Sequence, residues 1–268
     1  MTKIKHRYNE FVTFLDKKGR IELEEIQNQF NVSISTARRM CITAEEDGLG
    51  VRVYGGGLQS LKRVNGRQEY SFEYHSGENI PEKMAIGDYA SKIIQSGDII
   101  FVTGGTTTYQ FVAHLAKRLA SGEISDVTIM TNSLLNTELS ESYMPMILTG
   151  GQFRKHRRDM AGYVSEVVIR GAQFNRSFIG VDGVDLADGL IASDNDTRSM
   201  DRLVTSRSEK VYILADNSKF TAKSYISYEQ FLPKHVVITD SGLSAHFMEI
   251  AAVRNIELKV VHINNADG

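Results

Sequence analysis

The run Ile99-Ile100-Phe101-Val102-Thr103-Gly104-Gly105-Thr106-Thr107-Thr108 sets the architecture of most of this 268-residue chain. Its first four residues are apolar without interruption and too few for a helix, the pattern of a short strand buried on both faces. A helix is expected over about residues 109–120, directly after the polar loop. Gly104 and Gly105 let a ligand approach the backbone, and a helix N-terminus offers unpaired N–H groups at the positive end of its dipole. With the threonine hydroxyls added, Thr103 to Thr108 suit a phosphate group, although an N-capped helix behind a tight turn would use the same residues. The loop has neither Gly-Lys-Ser/Thr nor Gly-x-Gly-x-x-Gly, so a nucleotide is not indicated.

The alternation continues to the C-terminus. Strands are expected at 127–130, 146–148, 177–179, 211–214, 236–238 and 258–262, with helices near 134–142 and from about Tyr163. Strands alternating with helices imply a mainly parallel sheet covered on both faces, with ligands bound beyond the carboxyl ends of the strands. Polar groups recur at those ends: Thr131-Asn132-Ser133, Gly150-Gly151-Gln152, Gly180-Val181-Asp182-Gly183-Val184-Asp185 and Asp216-Asn217-Ser218-Lys219-Phe220. Asp182 is a candidate acceptor for sugar hydroxyls, and Lys219 a candidate cation for a phosphate or carboxylate. Asp, Asn, Ser and Gly are also ordinary turn residues, so it is their recurrence at successive strand ends that points to a site. Upstream, a helix opens after Pro81 with Met84, Ile86, Tyr89, Ala90, Ile93 and Ile94 on its apolar side. Before it, residues 58–80 are polar; the alternating Tyr70, Phe72 and Tyr74 suggest one short strand or edge segment.

The first sixty residues have a different grain. Ile4, Tyr8, Phe11, Phe14 and Leu15 recur at helical spacing, and Gly19 closes that helix. Leu23, Ile26 and Phe30 mark a second helix, and Ser33 is a plausible N-cap for a third. In the third helix Ala37, Met40, Cys41 and Ala44 share one face, while Ser35, Arg38, Arg39 and Ile42 lie on the other. Val51 to Tyr54, followed by Gly55-Gly56-Gly57, reads as a β-wing. Three short helices and a wing make a winged helix-turn-helix, whose third helix enters a major groove. Arg38 and Arg39 suit guanine edges and phosphates, while Arg52, Lys3, Lys5 and Arg7 would add phosphate contacts. A solvated helix face, or a protein-docking module, would show a similar pattern.

Charge follows the same division. The whole chain has 31 Lys and Arg against 33 Asp and Glu, a formal −2. Residues 1–63 alone carry eleven against eight, so the remainder is net negative. A basic front segment on an acidic body is the asymmetry expected where one part meets a polyanion. The longest apolar run is Val211 to Ala215, far short of a membrane span, and no apolar stretch follows the basic N-terminus as in a signal peptide. A cytoplasmic protein is therefore expected. Cys41, the single cysteine, excludes an internal disulfide and a cysteine-rich zinc site, and its place on the buried stripe suggests packing.

Four ordered motifs, Gly19 to Ile26, Phe30 to Arg39, Glu45 to Gly48 and Tyr54 to Gly57, resemble the DNA-binding domain of DeoR-type transcriptional regulators. Met40-Cys41 departs from that family, which usually has Asp-Leu after its two arginines. Gly105-Thr106-Thr107-Thr108, Thr131-Asn132-Ser133, Thr149-Gly150-Gly151, Gly180 to Gly183 and Asp216 to Phe220 occur in the order of the family's effector domain. The resemblance implies a winged helix-turn-helix α+β domain over residues 1–60, a linker over 61–80, and an α/β effector domain over 81–268 similar in fold to ribose-5-phosphate isomerase. It implies a repressor of carbohydrate genes that binds a double-stranded operator as a homodimer or higher oligomer, uses no metal or other cofactor, and responds to a phosphorylated sugar. On that reading Ser35, Thr36, Arg38, Arg39, Arg52 and Tyr54 face DNA. Lys83, Thr103, Gly104, Gly105, Thr106, Thr107, Thr108, Asn132, Gly151, Asp182, Gly183 and Lys219 surround the effector. Thr103 and Ser199 stand where the family commonly has Asp and Glu, which implies an effector with fewer hydroxyls or more negative charge, or a site that has drifted. The competing reading is an isomerase-type enzyme with an accessory binding module, in which Asp182, Asp185 and Lys219 would move protons.

Overall fold

The computed structural model describes residues 3–52, 56–60, 70, 72–221 and 226–263, apart from the side chains at 3–6, 51, 59, 73, 74 and 221. Two compact units divide the chain, Met1–His75 and Ser76–Gly268.

The smaller unit has three helices, α1 (Lys3–Lys18), α2 (Leu23–Phe30) and α3 (Ile34–Glu46). A three-stranded antiparallel sheet adds β1 (Arg20–Ile21), β2 (Gly50–Arg52) and β3 (Leu58–Ser60), in the order β1-β3-β2. Glu22 and Glu25 form a reciprocal capping box at the start of α2, and Asn31 in the left-handed conformation ends it. The Ser33 hydroxyl then accepts from the Thr36 N–H to start α3. These caps fix the turn between the two helices. Phe11, Leu15, Ile21, Ile26, Ala37, Cys41, Ala44 and Leu58 close the core, and the Tyr8 hydroxyl donates to Asp47 at the end of α3 (2.5 Å). This is a winged helix-turn-helix. Met40 packs in that core, and burial pushes the Cys41 thiol up to about 11. Tyr54 and the rest of the expected wing tip, residues 53–55, lie outside the described residues.

Phe72–Ser76 is a short helix, α4, and not the strand suggested by the alternating aromatics. The Tyr70 ring stacks on His75 with centroids 5.0 Å apart, a contact that a helical turn permits and a continuous strand would not.

In the larger unit, α5 (Ile80–Ser91) precedes a seven-stranded parallel sheet of order β15-β14-β12-β9-β4-β5-β6. Its strands are β4 (Ile99–Val102), β5 (Thr128–Thr131), β6 (Met146–Leu148), β9 (Phe174–Gly180), β12 (Ser208–Leu214), β14 (His235–Asp240) and β15 (Glu257–Val261). One face is covered by α5 and α6 (Thr106–Ala120), which bury Ile86, Ala90, Phe111, Val112 and Leu115. Those helices touch closely: a Cβ at Gly87 would lie 2.7 Å from the backbone of Gln110 and Phe111. The other face carries α8 (Tyr163–Arg170), α9 (Asn195–Ser206) and α10 (Ala245–Val253), through Ile169, Met200, Val204 and Ala251. Burial on both faces is the reason the strands are runs of apolar residues.

Two additions were not foreseen. A hairpin, β7 (Gln152–Arg154) with β8 (Asp159–Ala161), follows β6. A small antiparallel sheet joins β10 (Gly183–Asp185), β11 (Gly189–Ala192) and β13 (Ile226–Glu229). The helix expected near 134–142 stops early as α7 (Leu134–Thr137). The Thr137 hydroxyl donates to the Leu134 carbonyl and the Ser140 hydroxyl to the Met144 carbonyl, drawing the chain into a turn. No helix among the described residues is long and apolar enough to cross a membrane.

Phe178 sits at the middle of the sheet between two rings, stacked on Phe111 (4.1 Å) and Tyr212 (5.1 Å). Phe178→Ala should lower the unfolding free energy of the larger unit by about 3–5 kcal/mol, as large-to-small changes of a buried aromatic do. Urea titration followed by far-ultraviolet circular dichroism checks this.

Candidate functional site

Strand order reverses between β4 and β9. From β4 the chain moves outward through β5 and β6, then returns to β9 on the opposite side and moves outward through β12, β14 and β15. Loops leaving adjacent strands in opposite directions open a crevice at their carboxyl ends. Thr103-Gly104-Gly105 and Gly180-Val181-Asp182 are the two loops there.

Several expected ligand residues bond within and between these loops. The Thr103 N–H donates to the Phe178 carbonyl (3.0 Å), and its hydroxyl accepts from the Gly180 N–H (2.9 Å), tying the two loops together. Gly104 donates its N–H to Asn132 Oδ1 (2.8 Å), and Asn132 Nδ2 donates to the Met160 carbonyl (2.9 Å). The Thr108 hydroxyl turns back to the Gly105 carbonyl (3.0 Å). Gly151 has φ +120°, and a Cβ there would lie 2.4 Å from Ser165 Oγ and 2.6 Å from the Ala161 carbonyl, so its role is to let the hairpin base pass. Gly183 is a ladder residue of β10, opposite Ile191. That leaves Gly105, Thr106 and Thr107 at the start of α6, a 15-residue helix whose N-cap supplies no side-chain bond. Its first amides are therefore open to an anion.

Two lysines stand at the same end of the sheet. Lys83 on α5 is buried and donates to the Glu78 carbonyl (2.6 Å). Burial lowers its pKa and the charge of Lys219 lowers it further, against the opposing pull of Asp216, Glu78 and Glu82. Lys219 lies on the 3-10 turn Asn217–Thr221, after β12. Asn79 donates to Asp216 Oδ1 (3.0 Å) and to the Ser218 hydroxyl (3.3 Å), while the second Asp216 oxygen is buried without a partner. Two cations that repel each other gain from an intervening anion.

Asp182, expected to accept from sugar hydroxyls, accepts from the protein itself. The Arg157 guanidinium reaches it at 2.6 Å and the Ser193 N–H at 2.8 Å. Arg157 also pairs with Asp194 (3.0 Å), and Arg154 bridges Asp159 (2.7 Å) and Asp194 (2.9 Å) and bonds the Thr197 hydroxyl (2.9 Å). Burial alone would raise Asp182, but Arg157 and the Ser193 bonds outweigh it and hold the carboxyl below its usual range. The same opposition, led by burial and overcome by Arg157, holds Asp194 low. A carboxylate so held is a weak base. Arg154 and Arg157 were not foreseen; the visible signal was the basic run Arg154-Lys155-His156-Arg157-Arg158 inside the acidic part of the chain. The Ser199 hydroxyl donates to Glu166 on α8 (2.6 Å). Thr197 is the α9 hydroxyl that joins the cluster.

In the smaller unit, α3 exposes Ser35, Arg38 and Arg39 on the face opposite its core residues. Neither arginine makes an ion pair among the described residues. Thr36 is half-buried and shares hydroxyl contacts with Ser33 (3.0 Å). Arg52 does have a carboxylate partner, Glu45 at 2.5 Å, which ties β2 to the end of α3 and partly neutralises it.

A winged helix-turn-helix whose third helix exposes two arginines, in one chain with an α/β unit of parallel strands and polar strand-end loops, marks a transcriptional regulator with a sensor domain. Family models bear this out: the DeoR C terminal sensor domain matches residues 78–241 and the DeoR-like helix-turn-helix domain matches 7–63, so the chain belongs to the DeoR family. It is 28% identical to the HTH-type transcriptional regulator IolR of Bacillus subtilis, over 91% of this chain and 94% of that one. It is 26% identical to a putative aga operon transcriptional repressor of Escherichia coli O157:H7, over 97% and 95%. It is also 26% identical to a lactose phosphotransferase system repressor of Streptococcus mutans, over 87% and 91%. Among solved structures it resembles a D-ribose-5-phosphate isomerase in complex with phospho-erythronic acid, with a TM-score of 0.40 and 21% identity over 52% of this chain and 53% of that one.

Near this cluster, Asp201 on α9 is fully buried, with one oxygen bonded by the Tyr228 hydroxyl (3.1 Å) and the other without a partner. Burial pushes its pKa from 3.8 up to about 8. The folded chain therefore keeps a proton that the unfolded chain releases, and stability falls as pH rises from about 4 to about 8. Asp201→Asn should remove that decline and, at pH 8, stabilise the larger unit by about 1–3 kcal/mol, the scale of one unsatisfied buried polar group. Urea unfolding at pH 5 and pH 8 measures both effects.

Proposed function

We propose that the chain is a ligand-controlled transcriptional repressor of carbohydrate genes, in which α3 binds operator DNA and the crevice between β4 and β9 binds a phosphorylated sugar. The observation that carries the reading is the uncapped start of α6 at the switch point of the sheet, with Lys83 and Lys219 in each other's field at the same end of the strands. The phosphate lies against the Gly105, Thr106 and Thr107 amides and hydroxyls, with Lys219 neutralising it. The names of the relatives, among them sugar-operon repressors, support the same class of ligand. Effector and operator change each other's affinity by the same factor, whichever direction the coupling takes. The protein acts as a homodimer or higher oligomer, since two copies of α3 must reach half-sites about 34 Å apart. Its net-negative sensor unit keeps the rest of the molecule off the DNA.

Melting temperature tests the ligand half of this proposal. A panel of aldose and ketose phosphates should contain at least one member that raises it, by the equivalent of about 2.7 kcal/mol at a hundredfold excess over Kd. The unphosphorylated parent should not, and Lys219→Ala should abolish the rise; equal effects of parent and phosphate would overturn the assignment. Fluorescence anisotropy on duplex DNA tests the other half. Affinity should fall steeply between 50 and 200 mM salt, and Arg38→Ala or Arg39→Ala should weaken binding by tenfold or more.

A further inference from the structure

The solvent-facing side of α3 is not uniformly polar. Ile34 is 47% exposed and Ile42 39% exposed, on the face that also presents Arg38 and Arg39. At 100° per residue, Ile34, Arg38 and Ile42 are each offset by about 40°, so the three form one narrow stripe about 12 Å long. Folding supplies no reason for either isoleucine. Ile34 is the first helical residue, where a carboxylate would suit the dipole, and β-branched side chains are mediocre helix formers. Neither belongs to the core of the unit, which takes Ala37, Met40, Cys41 and Ala44 from this helix.

The polar groups beside Ile34 are already engaged. The Ser33 hydroxyl caps Thr36, and the Ser35 and Thr36 hydroxyls lie 2.9 and 3.0 Å from it. The N-terminal turn of α3 therefore presents an isoleucine side chain flanked by hydroxyls bonded to one another. In a major groove the group that complements an exposed aliphatic side chain is the C5-methyl of thymine, while an arginine fork complements guanine O6 and N7.

We propose that Ile34 and Ile42 are specificity residues that seat thymine methyl groups on the two sides of a guanine read by Arg38. The inference rests on the placement of α3 in a major groove. It makes the operator half-site a thymine-flanked guanine, read by two apolar contacts and one charged one. The flanking arginine, Arg39, contributes affinity to every sequence through phosphate.

The experiment uses the full chain and duplexes selected by it from a library with a randomised core. In the selected half-site each thymine is replaced in turn by deoxyuridine, which deletes only the methyl group, and Kd is measured by anisotropy at fixed salt. Two positions should each lose about fourfold in affinity, the worth of one buried methyl group. In Ile34→Ser one of the two should become insensitive to the replacement, and in Ile42→Ser the other, with the salt dependence of binding unchanged. Both side chains are exposed, so both variants should melt as the parent does. Deoxyuridine replacement without effect, or an effect that persists in both variants, would sink the proposal, as would a half-site lacking thymine. Failure to enrich any duplex would instead count against DNA binding itself.

Discussion

Parallel pairing of β4 with β9 is the constraint on which the larger unit depends. The two strands are hydrogen-bonded neighbours, yet the chain reaches them from opposite halves of the sheet, so no helix passes over the gap at their carboxyl ends. The Thr103 hydroxyl and the Gly180 N–H close the base of that gap. The start of α6 has no side-chain cap, and α5 and the turn after β12 bring Lys83 and Lys219 to the same end of the sheet. Strand order thus brings the two glycine-containing loops together at the carboxyl ends of β4 and β9.

The second organising element is the ion cluster on the hairpin β7–β8. Arg154 and Arg157 are both largely removed from solvent, as are Asp159 and Asp182. Such charges are tolerated only because each is paired and hydrogen-bonded, since removal of one partner would strand the other in a low-dielectric setting. The cluster joins the hairpin to Asp182 after β9 and to the start of α9 at Asp194. It therefore couples three segments that the sheet itself does not connect, and it binds Asp182 to the scaffold.

How much of this was legible follows from the range of each signal. The helices of the smaller unit announce themselves through local spacing: Ser33 before α3, Ala37, Met40, Cys41 and Ala44 on one face, the arginines on the other. The buried strands are equally local, each an apolar run of four or so residues. Other signals were ambiguous or needed a partner outside the pattern. Tyr70, Phe72 and Tyr74 alternate as in a strand, but a ring contact to His75 curls the segment into a helix. On α9 the Ser199 hydroxyl bonds Glu166 while the Thr197 hydroxyl bonds Arg154, a division that depends on helices and hairpins meeting in space.

By itself, the sequence determined the class of each unit and the order of its strands and helices, because periodicity, caps and glycine turns act over a few residues. Tertiary structure alone decided which polar residues at the strand ends are free. Thr103, Asn132, Thr108 and Asp182 have the same donors and acceptors as true ligand groups, but each finds a partner inside the protein, several from other strands. Hydrogen-bond capacity is a property of a residue; whether it is already satisfied is a property of its neighbours in space.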